Sequence, residues 1–325
     1  MKKIIFVSLI IITILIVTLW PSKTKNTNLT PITLAEVTHS VFYTPLYVAI
    51  ENDYFKKEGI EINLLLTPGA DKVSAAVLSN DAQIGLAGAE SAIYILKEGQ
   101  KDYLQIFSGL TKRDGQFLMG RSKDNQFNLE DLKGKEILVG RQTGMPALNF
   151  LNALKNSNID PNDININYSV DFASLSGTII GGTGDFVNLF EPNATLLEKE
   201  GYGYSLLSIG KLSGEMPYTT FYAKQSYINN NKELLRKFIN AINEGLKYTM
   251  NHDSKDIAKI IINQFPNTDI NDLTKNIERY KESDSWLNNY YVQEELFTNL
   301  ENLLIDNNLL DKYVDYNKIF IDLYA

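Results

Sequence analysis

The order of the segments constrains this chain most. From Ile32 onward, short apolar runs alternate with stretches of helical spacing, and glycine or polar loops mark the junctions. Residues 32–37, 60–66, 83–87 and 104–110 read as strands. Between them, residues 45–57, 71–79 and 90–97 read as helices. The first helix carries Leu46, Ala49, Ile50 and Phe55 on one side, and Gly59 supplies a C-terminal stop. Strand–helix alternation at this spacing means a parallel sheet covered by helices, an α/β chain.

The pattern then restarts. A strand at 117–121 is followed by a short helix at 128–133 closed by Gly134, a strand at 136–140, and a helix at 146–156 with Pro146 in its first turn. Further strands are expected at 165–170, 186–189, 205–208 and 220–223. Helices then dominate, at 234–251, 254–264, 270–280 and 292–307. Segments 117–121 and 218–223 are the natural places for the chain to cross between two units. The expected division is lobe one, 32–113 plus 222–325, and lobe two, 114–221. A double crossing makes a hinge with a cleft between the lobes. Two consecutive domains with one linker fit the same pattern.

Ahead of this body, Lys2 and Lys3 precede an uncharged apolar run from Ile4 to Trp20. A charged start and an apolar core read as an export signal. The run is ~17 residues, at the lower limit for a membrane span. Pro21, Ser22 and Lys23 follow where a small-x-small cleavage site belongs. Residues 1–31 are therefore expected to be an uncleaved signal-anchor helix and tether. They would hold the body at the outer face of the cytoplasmic membrane; cleavage would make it a secreted protein.

The chain has no cysteine, which removes disulfides, thiolate metal sites and a lipid-modified N-terminal cysteine together. His39 and His252 are the two histidines and stand far apart, so no metal site is expected. The formal charge is −8, and setting aside Lys2, Lys3, Lys23 and Lys25 takes it to −12. Such an acidic body argues against a nucleic-acid partner. A monomer without a cofactor is expected.

In parallel α/β sheets, ligands lie at the C-terminal ends of strands, against helix N-termini. Five loops qualify. The first brings His39, Ser40 and Tyr43 to one helix start; the second contributes Gly69, where the backbone can approach a ligand. The third contributes Gly88, Ala89 and Glu90, with Glu90 also suited to the helix dipole. Thr143 and Gly144 offer donors in the fourth, where Arg141 reads as a surface charge. Glu191, ahead of Pro192, can accept from an amine or ring N–H in the fifth. There is no Gly-x-Ser-x-Gly, phosphate loop or His-Glu-x-x-His. The remaining route to an enzyme is His39 acting as a base with Glu191 near it.

The stretch Phe42-Tyr43-Thr44-Pro45-Leu46-Tyr47-Val48-Ala49, followed by Asp53-Tyr54-Phe55-Lys56-Lys57-Glu58-Gly59-Ile60, resembles the opening of the solute-binding proteins of the nitrate/sulfonate/taurine and thiamine-precursor importers. Gln83-Ile84-Gly85, Asp131-Leu132-Lys133-Gly134-Lys135, Glu191-Pro192 and Pro217-Tyr218 continue the resemblance over most of residues 32–250. It implies a type II periplasmic-binding-protein fold and capture of a small solute. Delivery would be to a membrane ABC permease driven by its ATPase. The family's ligand loops would correspond to the five loops above. The missing lipid-modified cysteine departs from Gram-positive members. The cysteine-rich motif of the eukaryotic pyrimidine-synthase branch is absent too. Helix N-termini alone would favour an oxyanion such as a sulfonate. A buried carboxylate facing an anion costs several kcal/mol, of the order of an unpaired buried charge. If Glu191 faces the cleft, the expected solute is therefore an uncharged or cationic organic molecule, such as a pyrimidine.

Overall fold

The structure, a computed structural model, describes residues 29–325. The N-terminal signal-anchor expectation lies outside the described residues. Among those residues no helix is long and apolar enough to cross a membrane.

Ten strands form two sheets. In chain order they are β1 (Thr30–Glu36), β2 (Ile60–Leu66), β3 (Ile84–Gly88), β4 (Leu104–Thr111), β5 (Phe117–Gly120), β6 (Glu136–Leu138), β7 (Asn165–Asn167), β8 (Phe186–Leu189), β9 (Tyr204–Ser208) and β10 (Thr219–Lys224). The first sheet has the order β2-β1-β3-β10-β4, the second β7-β6-β8-β5-β9. β1 lies parallel between β2 and β3, with Leu34 opposite Leu64 on one side and Ile84 on the other. β6 holds the same place between β7 and β8. Each sheet also contains one antiparallel strand, β10 between β3 and β4, and β5 between β8 and β9. The chain enters the second sheet through β5 and returns to the first through β10, so it passes between the sheets twice. The parallel strands send the loops that follow β1, β3, β6 and β8 out from the strand C-terminal ends.

Most element boundaries lie close to those read from the sequence. The expected helix at 45–57 is two pieces, Thr44–Glu51 and Tyr54–Lys57, because Asp53 takes a left-handed conformation (φ 57°) that breaks the turn. The short helix after β5 is a 3-10 turn, Leu129–Leu132. Asn128 caps it through the Glu130 N–H, and the Asp131 carboxylate accepts from the Asn128 N–H. Three short helices in the second half, Leu175–Ile180, Asn193–Lys199 and Ile209–Ser213, complete the cover of the second sheet.

The long helix Lys232–Asn251 buries Leu235, Phe238, Ile239, Ile242 and Leu246, an apolar stripe at helical spacing. It crosses helix Thr44–Glu51 so closely that a Cβ on Gly245 would lie 2.2 Å from the Pro45 carbonyl oxygen. β4 is an edge strand, yet all eight of its residues are buried. The C-terminal segments cover it. The Ile321 N–H donates to the Ile106 carbonyl at 2.9 Å, and the Gly109 N–H donates to that of Tyr290 at 2.7 Å. One cluster of buried apolar side chains spans both sheets, with Phe42 packed on Phe190, and a second, around Leu118, Ile137 and Phe150, lies with the second sheet.

Candidate functional site

The junction between the sheets is aromatic. Phe42 comes from the loop after β1, and its ring centroid lies 5.3 Å from that of Phe190, after β8. Tyr43 and Tyr218 lie within 5.7 Å of Phe42 on other sides, and Phe172 stands 5.5 Å from Phe190. These rings derive from both sheets and from the segment that returns to β10.

Within this junction one carboxyl oxygen lacks a partner. Glu90 is 2% exposed, at the start of helix Glu90–Lys97, and its Oε2 makes no hydrogen bond among the described residues. The carboxyl folds back over Gly88, where a Cβ would lie 2.0 Å from Oε2. Only glycine leaves that room, so Gly88 serves the carboxyl next to it. Burial pushes the Glu90 pKa up to about 7. Its own N–H, the Arg141 charge and the N–H groups of Met145 and Ser91 act against a larger rise. The phenols of Tyr43, Tyr218 and Tyr222 are raised chiefly by burial, and each also feels the Glu90 charge. Asp114, in the segment leading to β5, is fully buried, and burial pushes its carboxyl up to about 8. The Gln116 N–H, 2.5 Å from Oδ1, opposes that shift. Tyr218, which adjoins both acids electrostatically, is 4% exposed.

The remaining sequence-predicted residues have defined positions. Ser40 donates its hydroxyl to the Glu191 carbonyl at 2.6 Å, so the first and fifth loops meet directly. The Ser40 oxygen also caps the turn Val41–Tyr43 by accepting the Phe42 N–H. The Glu191 carboxylate is fully engaged. Oε1 accepts from Arg279 at 2.6 Å and from the Thr195 hydroxyl at 3.0 Å, and Oε2 accepts the Thr195 N–H at 2.9 Å. It holds the start of helix Asn193–Lys199 to helix Ile270–Glu282. The expectation that Glu191 presents a free carboxylate to a solute does not describe this arrangement.

His39 is committed as well. Nδ1 lies 2.7 Å from Glu36 Oε1, Nε2 lies 2.9 Å from the Gln264 carbonyl, and Tyr47 donates to the other Glu36 oxygen at 2.8 Å. Burial alone would lower the imidazole pKa. The Glu36 hydrogen bond and charge, with the Gln264 carbonyl, outweigh it, and the net value is raised. Both ring nitrogens thus face protein acceptors, an arrangement that favours the protonated ring.

Gly69 has φ 121° and begins helix Ala70–Ser79. The Ala89 N–H donates to the Tyr218 carbonyl at 3.3 Å, tying the β3 end to the returning segment. Thr143 is exposed, and its carbonyl accepts from the Tyr94 hydroxyl at 3.2 Å. The Gly144 N–H donates to the Arg141 carbonyl at 3.1 Å, which closes a turn and consumes that donor. The structure thus brings Tyr43, Gly88, Ala89 and Glu90 to the junction, while His39, Ser40 and Glu191 tie segments together around it. Sequence reasoning missed Tyr218, Asp114 and Phe190 as junction residues, although Pro217-Tyr218 and the loop before Glu191 were both visible. It also missed Arg279, on a helix for which the sequence signals only core packing.

The NMT1/THI5-like family model matches residues 41–255. The chain belongs to this family. A Bacillus subtilis (strain 168) protein, YtlA, described as a binding protein, is 40% identical over 296 residues, covering 91% of this chain and 89% of that one. The alkanesulfonate-binding protein SsuA of Xanthomonas axonopodis pv. citri, solved with MOPS, superposes with a TM-score of 0.72 at 15% identity, covering 90% of this chain and 98% of that one. For the nitrate-binding protein NrtA of Synechocystis PCC 6803 the TM-score is 0.68 at 14% identity, with 91% and 87% covered. At such identities the likeness establishes the α/β periplasmic-binding-protein fold for this NMT1/THI5-like chain.

Proposed function

We propose that the chain is the extracytoplasmic solute-binding protein of an ABC importer. It closes two lobes around one small organic solute and delivers it to a membrane permease driven by an ATPase. Family membership, the binding-protein relative and the shared fold support this reading. The lobes we assign are 32–113 plus 222–325, and 114–221, with the hinge where the chain passes twice between the sheets. Residues 1–31 would tether the body to the outer face of the membrane. The solute is an amine-bearing or heteroaromatic molecule of the thiamine-precursor pyrimidine type. One observation carries that choice: a buried carboxyl with a free oxygen, Glu90, stands among aromatic rings. The nearby arginines are already paired, Arg141 with Asp71 at 2.9 Å and Arg279 with Glu191. An oxyanion placed there would face an uncompensated acid. Tyr43, Gly88, Ala89 and Glu90, with Phe190 and Tyr218, form the solute-facing set. His39, with both nitrogens engaged, argues for binding without turnover.

Mass spectrometry of solute released from natively purified protein tests this, followed by a thermal-shift panel. A solute at 100 times its Kd stabilises by ~2.7 kcal/mol. Pyrimidines that shift the melt and return chemically unchanged are the expected result. A shift with alkanesulfonates alone would move the reading to an anion binder, and product formation would move it to an enzyme.

A further inference from the structure

Buried carboxyls are ordinarily hydrogen bonded, and an unpaired one marks a place where a partner is to come. Glu90 Oε2 is such an atom among the described residues, although the carboxyl as a whole also feels the N–H groups of Glu90, Ser91 and Met145. The charged and titratable groups around it come from several elements. Tyr43 comes from the turn after β1, Tyr218 and Tyr222 from the returning segment and β10, and Tyr94 from its own helix. From across the junction come Arg141 and the backbone N–H of Met145, which opens helix Met145–Asn156. Asp71 already holds Arg141, Asp114 lies beyond Tyr218, and Glu36 stands behind Tyr43. The N-terminus of helix Met145–Asn156 therefore already faces a carboxyl.

We propose that Glu90 selects the charge of the solute, its free oxygen accepting from a planar cationic nitrogen group such as an amidinium or aminopyridinium and its charge turning oxyanion headgroups away. This rests on the junction being the solute site. A planar group with in-plane N–H donors matches carboxylate geometry, and aromatic rings beside the carboxyl suit a flat cation. Gly88 is part of the device, since any side chain there would displace the carboxyl. A cation needs the ionised carboxyl, and burial holds that group near neutrality. Binding of a permanently charged cation should therefore weaken about tenfold per pH unit below about 7, and each binding event there should release a proton.

The test is calorimetric titration of the whole protein with benzamidine and, separately, with benzenesulfonate, across about two pH units either side of neutrality. The expected result is benzamidine binding with that acid slope, and no benzenesulfonate binding. Glu90→Gln should weaken benzamidine on the order of 10–100-fold and flatten the slope. The slope of the unaltered protein is a readout that needs no variant. Equal or tighter benzenesulfonate binding, or no binding of benzamidine at millimolar concentration, overturns the proposal. If Phe190→Ala abolishes benzamidine binding and Glu90→Gln leaves its affinity and slope intact, the junction remains the solute site and the proposal fails. Binding indifferent to both substitutions removes the site assignment itself.

Discussion

Replacing Arg279 by methionine isolates the charge that holds the fifth loop. Nη1 donates to Glu191 Oε1 at 2.6 Å and to the Thr195 hydroxyl at 3.2 Å, and Nη2 donates to both Glu198 oxygens at 2.8 Å. The Arg279 side chain is 17% exposed, and that of Glu191 is 0% exposed. Methionine keeps an aliphatic stem beside Phe117, over which the guanidinium now sits. Glu191 would retain the Thr195 N–H and hydroxyl and the Asn276 amide, in a place closed to water. Removing one partner of a buried ion pair costs about 3–5 kcal/mol, and the surviving Thr195 and Asn276 bonds place this case near 3 kcal/mol. An exposed pair would cost about 1 kcal/mol or less, so the two situations are separable. Urea unfolding followed by fluorescence of the buried Trp286 should show a lower midpoint at unchanged slope. Glu191→Gln added to the methionine variant should recover part of the loss, because it removes the stranded charge. The acid limb gives a second check. Burial pushes the Glu198 carboxyl up, but Lys275, the Ser205 N–H and Arg279 hold it below the usual glutamate value. Its contribution is present above that usual value and is lost as pH falls through the lowered one. The gap between parent and variant should therefore narrow in acid. A cost below about 1 kcal/mol, or a Glu191→Gln penalty that adds in full, would refute a buried, coupled pair.

Three further outcomes follow from the same contacts. Gly245→Ala drives a Cβ to within 2.2 Å of a backbone oxygen and should cost about 1–3 kcal/mol or more in unfolding by urea. His39→Gln should cost about 2 kcal/mol; since the imidazole pKa is raised above 6.5, the difference is full below that pH and fades as pH climbs through the raised value, which stability curves at several pH values will show. Asp114→Asn should stabilise the protein at neutral pH. The parent carboxyl, pushed up to about 8, loses stability progressively as pH rises from the ordinary aspartate value toward 8, and the variant's melting temperature should lack that decline.

The fold was legible because its signals are local. The strand at 60–66 and the strand at 186–189 coincide with β2 and β8, each a short, mostly apolar stretch that begins after a glycine or polar residue. The single helix expected at 45–57 was broken by Asp53, whose left-handed turn has no hydrophobic signature. Short helices such as Leu175–Ile180 and Asn193–Lys199 span too few turns for a periodic pattern to emerge, and packing against the second sheet supports them. The five loops were legible for the same reason as the strands that precede them, since each follows a strand end.

What each loop residue does was a different matter, and Glu191 and Glu90 show why. Both are acids at helix starts in sequence, and helix-dipole arguments treat them alike. Their roles separate only when residues far along the chain arrive. Arg279, 88 positions away, comes to Glu191 and satisfies it. Glu90 has no ion-paired cation: the Arg141 charge acts on it, but Arg141 makes its salt bridge with Asp71. In our proposal the buried carboxylate that disfavours an anionic solute is therefore Glu90 and not Glu191. Glu191 would have been a lone acid beside a helix start, whereas Glu90 lies opposite the Met145 N–H, at the helix N-terminus an oxyanion would need. On the proposed reading an anion would have to displace that carboxyl before it could use the helix, whereas a planar cation would need only to approach it.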